Sequence, residues 1–235
     1  MTLLSMVQDA ADQIVVPRPA TLIGSADPVS RLFLRLANKE GKELAKRTPW
    51  QALTIEGSIT TANGTASYVL PTAFDRIVEG SMYNRTQAQK VIGPVTPQRW
   101  QQLQANGITG IWQAFRIRGG YFYLTPTPTA TESIYYEYIT QYWCATAGDT
   151  SPDQAAYMVD TDIVFLPEEV MTLGLVWRFK HARGLEYAED FQAYELKVAE
   201  VIGNDGGTGL IDLSADEPGT GTYEPTIADG SWSLP

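Results

Sequence analysis

The segment FLPEEVMTLGLVWRFKHARG, residues 165–184, carries the punctuation of one complete helix. Pro167 stands near the first helical position with Glu168 and Glu169 in the first turn. Lys180, His181 and Arg183 fall in the last turn and Gly184 supplies the stop, so charge complements the helix dipole at both ends. Between these ends Val170, Met171, Leu173, Leu175, Val176, Trp177 and Phe179 nearly encircle the axis. A helix apolar on most sides must be surrounded by other elements, which predicts a place at the centre of a bundle.

Working outward, the following segment repeats Tyr187, Phe191, Tyr194, Val198 and Val201/Ile202 in steps of four and three, an amphipathic helix that should pack on its predecessor. At the other end of the chain, Leu3, Met6/Val7, Ala10 and Ile14 form a similar stripe, closed by Pro17 and Pro19. Asp27-Pro28 then pairs a capping side chain with proline at the first helical position. The second helix so announced carries Val29, Leu32, Phe33, Leu36 and Leu44 to Arg47 and stops at Pro49, with Gly41 expected to weaken its middle. The two N-terminal helices should close on the two C-terminal ones. The expected class is α+β: a helical bundle built from residues 1–49 and 150–203, a β-rich antiparallel insertion at 50–149, and an extended C-terminal tail at 204–235.

In the insertion the apolar period shortens to two. ALTIEGSITTANGTASYVL, residues 52–70, predicts two strands joined as a hairpin through Asn63-Gly64. A further strand is expected around Arg76 to Met82, and Thr96-Pro97 should open a single helical turn through Trp100 and Leu103 that ends at Gly107. Strand character returns at GIWQAFRIR and continues into RGGYFYLTPTPTATESIYYEYITQYW, residues 118–143. There Phe122 and Leu124 face away from Tyr121 and Tyr123, and Ile134, Tyr136 and Tyr138 face away from Tyr135, Glu137 and Ile139, with TPTPTATES as the connecting turn. Aromatic and β-branched side chains suit a half-buried pleated surface, so sheet packing is predicted, with the outward tyrosines and the loop tip left as contact surfaces.

The 27 acidic residues against 17 basic ones give a net charge of -10, which opposes a role in coating nucleic acid. Cys144 is the single cysteine and His181 the single histidine, and no G-x-S-x-G elbow accompanies them. Asp149, Asp153, Asp160 and Asp162 lack the spacing of a calcium loop and suit turns and caps better. Glu168 and Glu169 are adjacent and cannot share a helix face as a catalytic pair, and the glycine-rich NDGGTGL and GTGT lack the lysine of a phosphate loop. No catalytic residue, cofactor or metal site is therefore expected, and no run is apolar enough to span a membrane. The tail is rich in Gly, Pro, Ser, Thr and Asp yet carries Ile211, Leu213, Tyr223, Ile227, Trp232 and Leu234, spaced anchors that form the candidate partner interface.

TPWQALTIEG after two helices, SYVLPTAFDRIV, PQRW before a strand, FYLTPTPTATESIYYEY, and above all the two-helix stretch from DTDIVFLPEEV to VIGNDGG with its QAYE resemble the head-to-tail adaptor proteins of short-tailed bacteriophages, the family that includes tubular tail protein A. The resemblance spans roughly residues 2 to 213. It implies a virion protein of the neck, made in the host cytoplasm; with no active site among the residues, no enzymatic activity is expected. It also implies a ring of twelve copies between a portal protein and a tail nozzle protein, with the genomic DNA passing through its channel. Carboxylates repeated around such a channel would repel phosphates and let DNA slide. The alternatives are a virion-associated peptidoglycan hydrolase using a Glu or Asp acid, or a carbohydrate-binding module stacking sugars on Tyr121, Tyr123 and Trp143.

Overall fold

In the computed structural model, which describes residues 1–106 and 112–206, α1 (Leu3–Ile14) starts at a capping box. The Thr2 side chain accepts from the Ser5 amide and the Ser5 side chain accepts from the Thr2 amide, satisfying two donors that a helix start leaves free. α2 (Pro28–Arg47) starts as the sequence predicts, with the Asp27 carboxylate accepting from the Ser30 amide at 2.8 Å. That bond holds the Asp27 carboxyl below its ordinary range.

The insertion begins with a short 3-10 turn at Gln51–Leu53 and folds as two antiparallel sheets rather than a series of hairpins. β1 (Thr54–Thr60), β2 (Ser67–Val69), β3 (Phe74–Ile77), β4 (Tyr83–Asn84) and β5 (Gln89–Lys90) precede α3 (Pro97–Asn106), which is longer than the single turn expected. After it come β6 (Ala114–Arg118), β7 (Tyr121–Thr125) and β8 (Ser133–Thr140). β8 is the central strand of the first sheet: it pairs with all seven residues of β1 on one side and with β3 and β4 on the other, while β5 extends β4. The second sheet runs β2-β7-β6.

Two expectations are corrected here. The Asn63-Gly64 turn forms, closed by the Thr65 amide on the Ala62 carbonyl, but β1 and β2 do not pair with each other; they enter different sheets. Likewise TPTPTATES does not close a hairpin. It carries the chain across from β7 in one sheet to β8 in the other. Hairpins do form between β4 and β5 and between β6 and β7, the latter through Gly119-Gly120, both at positive φ, the backbone that a tight two-residue turn requires.

Phe115, Phe122 and Leu124 of the second sheet and Ile134, Tyr136 and Tyr138 of the first enclose one core, so the alternation expected for residues 121–138 holds although the pairing does not. Burial pushes the Tyr136 hydroxyl up to about 12, with Tyr138 beside it, and raises Tyr138 and Tyr157 as well. A raised tyrosine pKa favours the neutral form in the fold. The stability it confers is full below the unfolded value near 10 and is lost as pH rises through the folded value. Titration followed at 295 nm should show Tyr136, Tyr138 and Tyr157 ionising only as the packing around them is lost. Ionisation of all 12 tyrosines in one step with the fold intact would contradict this burial.

After β8 the chain returns to the helices through β9 (Cys144–Ala145) and β10 (Ile163–Val164), which pair with each other. α4 (Glu168–Arg183) ends at Gly184 as predicted and touches α1, α2 and α5 (Ala188–Asp205), which places it at the centre of the helices. Phe179 of α4 stacks on Phe33 of α2 with centroids 4.5 Å apart. The bundle core also takes Trp50, Leu53, Ile139, Trp143 and Cys144 from both ends of the insertion. Gly41, expected to weaken α2, has a packing role: a Cβ there would overlap the Trp143 ring that lies against the helix.

Candidate functional site

Charged groups are buried where the helices meet. Glu40 of α2 is fully buried and accepts from Arg178 Nε of α4 and, at 2.6 Å, from the Tyr194 hydroxyl of α5. Arg178 reaches Glu43 as well, at 2.6 Å. Burial pulls the Arg178 guanidinium down, but the two facing carboxylates outweigh it and hold its pKa above the ordinary value. Burial, reinforced by the Glu40 carboxylate, raises the Tyr194 hydroxyl. Gly174 makes room for this cluster, since a Cβ at that position would overlap the Glu40 carboxyl. The three side chains thus tie α2, α4 and α5 together away from solvent.

Other carboxylates, Glu132 and Asp162 buried among them, are also engaged in holding structure. Glu132 accepts from Asn84, Gln113 and Gln87 at 2.6, 2.8 and 3.0 Å. Asp162 accepts from the amides of Met158 and Val159, the turn chemistry expected of it, whereas Asp160 accepts from the amides of Leu22 and Ile23, a long-range tie between the connector and the segment after α1 rather than a turn or a cap. Glu168 meets the terminal amino group of Met1, and Glu169 pairs with Lys197 at 3.0 Å. Among the described residues no cluster of His, Cys, Asp and Glu is placed to hold a metal ion. Cys144 is buried, its thiol donating to the Gln154 carbonyl, and burial pushes it up to about 12. His181 stacks edge-on against Tyr187 at the end of α4.

Several faces remain open. On α2, Arg31, Arg35, Lys39, Lys42 and Lys46 are all exposed at steps of four, four, three and four, which lines them along the side opposite Phe33, Ala37 and Leu44. This cationic stripe in an acidic chain is a feature the apolar periodicity did not reveal; the spacing of the charges alone would have found it. At the α4–α5 end, Leu185, Tyr187 and Phe191 are exposed around Trp177. On the insertion, Tyr121 is exposed beside Tyr123, which meets Trp100 edge-on and lies under Arg118. A groove next to them is lined by Ile92, Val95, Leu103, Trp112 and Pro126. Trp143, the third ring of the sugar platform considered from sequence, is buried in the bundle core and does not join Tyr121 and Tyr123 at the surface.

The anchors Ile211, Leu213, Tyr223, Ile227, Trp232 and Leu234 lie outside the described residues. α5 runs two residues past Gly203, to Asp205, whose carboxylate accepts from the Gln51 amide at 2.9 Å. Among the described residues no helix is long and apolar enough to cross a membrane. A family model described as SU10 adaptor protein matches residues 1–208, the whole of the described chain. No curated protein matches it.

Proposed function

The chain belongs to the SU10 adaptor protein family, a family of structural phage adaptors, and from that premise we propose that it forms a ring between the portal and the tail nozzle and frames the channel through which DNA leaves. The match over residues 1–208 carries this reading. The geometry supports it. The bundle is fixed internally by a buried ion cluster, while its exposed cationic, apolar and aromatic faces lie on different elements, as a subunit with several neighbours requires. In the ring, twelve copies set their acidic surfaces toward the channel, and the cationic stripe of α2 faces away from the DNA. The tail anchors Ile211, Leu213, Tyr223, Ile227, Trp232 and Leu234 give the tail apolar side chains with which to bind protein surfaces, those from Tyr223 onward a neighbour's.

Mass measurement of the purified chain alone and with its portal is the deciding experiment. A large assembly is expected with portal present. A chain that stays monomeric and never joins portal would overturn the ring. Deletion from Gly209 onward should weaken assembly while leaving the helical circular dichroism unchanged, and assembly at full strength without the tail would remove the anchors from the account.

A further inference from the structure

We propose that residues 210–217, LIDLSADE, dock on the cationic stripe of α2 in their own chain, with Ile211 and Leu213 seated in the cleft beside Lys42 and Lys46. This rests on the anchor role given to the tail above and narrows it to a site.

The stripe from Arg31 to Lys46 is ~22 Å long at the rise of an α-helix. Lys39 approaches Glu43 at 3.8 Å, while Arg31, Arg35, Lys42 and Lys46 make no ion pair among the described residues. Such a face in a chain of net charge -10 calls for an anionic partner. Residues 207–235 offer one: they contain Asp212, Asp216, Glu217, Glu224 and Asp229 and no Lys or Arg.

Position and shape favour the first part of that segment. Asp205, the last residue of α5, is held to Gln51, four residues past the end of α2 at Arg47, so α5 ends near the end of α2 that carries Lys42 and Lys46. The chain from 206 to 210 can span ~17 Å at ~3.3–3.6 Å per residue, enough to turn onto the stripe. There the cleft between α2 and the base of the insertion has Ala45, Ala155 and Trp143 in its wall together with Lys42 and Lys46. Asp75, its one acidic group, lies 3.9 Å from Arg76. Ile211 and Leu213 are the apolar residues offered to the cleft, and Asp212, Asp216 and Glu217 are the charges that complement its lysines. A bare polyanion such as DNA would use the charges and leave the apolar part of the wall empty. The anchors from Tyr223 onward then extend from a moored point toward a neighbour.

The test uses the full chain without portal, so its failure leaves the ring untouched and failure of the ring leaves it intact. With Leu213 replaced by the photo-crosslinking residue benzoylphenylalanine, illumination of the dilute protein should give adducts within one chain on residues 42–46 or 140–143. Lys42→Glu with Lys46→Glu should cut the yield about tenfold, as reversal of two exposed ion pairs allows, and adding Asp212→Lys, Asp216→Lys and Glu217→Lys should restore it. Adducts elsewhere, adducts only between chains, or a yield indifferent to charge reversal would overturn the docking. So would binding of a short DNA duplex at physiological salt that is lost on Arg31→Glu and Arg35→Glu, which would assign the stripe to nucleic acid.

Discussion

Arg178→Met should destabilise the folded chain by about 3–5 kcal/mol, the cost of removing one partner from a buried ion pair. Glu40 has no exposed surface, and without the guanidinium its carboxylate keeps only the Tyr194 hydroxyl as a donor. The aliphatic part of Arg178 packs in the same place as a methionine would, so lost volume contributes little. The loss is one of charge and hydrogen bonding. Removing the whole cluster is expected to behave differently. Glu40→Met, Arg178→Met and Tyr194→Phe together leave no buried charge and no orphan hydroxyl, and apolar replacement of a buried ionic group is often neutral. Urea unfolding of the three proteins checks both halves: a single substitution costing under about 1 kcal/mol, or a triple variant less stable than the single one, would show that the cluster does not work as described.

That cluster marks a limit of what the sequence conveys. Arg178 lies inside the apolar run of α4, and Glu40 sits among Lys39, Lys42 and Glu43, where charge reads as solvent-facing. Only the approach of α2 and α5 to α4 turns both side chains inward, and that approach is a long-range fact. Gly41 and Gly174 share this property. Each reads locally as a weak helix position, and each is occupied from outside, by Trp143 and by Glu40. Helix limits, in contrast, were legible because their causes are local: Asp27-Pro28 begins α2 and Gly184 ends α4 through groups within a few residues.

The sheets fall between these cases. Side-chain alternation is set by the strand itself, so the inward faces of β7 and β8 were correctly read from Phe122, Leu124, Ile134, Tyr136 and Tyr138. Pairing depends on which strand arrives, and the turn at Asn63-Gly64 fixes a local bend without fixing that choice. Of the surfaces, the α2 stripe was present in the spacing of its charges. The groove at Ile92 and Trp112 was not, because its walls come from segments far apart in the chain.

Phe122→Ala carries the other large effect, about 3–5 kcal/mol for truncating a buried phenylalanine. Phe122 has no exposed surface, and its ring lies 4.8 Å from Tyr136 and 5.9 Å from both Phe74 and Phe115, each meeting it edge-on. The cavity would open between the two sheets, in a core that shares no buried residue with the bundle core. We propose that the loss is confined to the insertion, in keeping with a division into 1–49 with 150–203 and 50–149. On heating the variant, part of the near-ultraviolet aromatic signal should then be lost well before the helical signal at 222 nm, the contribution of Trp50, Trp143 and Tyr194 persisting with the bundle. β8 offers the counter-argument, because it places Ile134, Tyr136 and Tyr138 in the insertion core and Ile139 in the bundle core, so disorder in the sheet could propagate along it. The thermal profile decides between them: two separated transitions fit two units joined at the base of β8, whereas both signals falling together at a lowered temperature would make the sheets and the helices one cooperative structure.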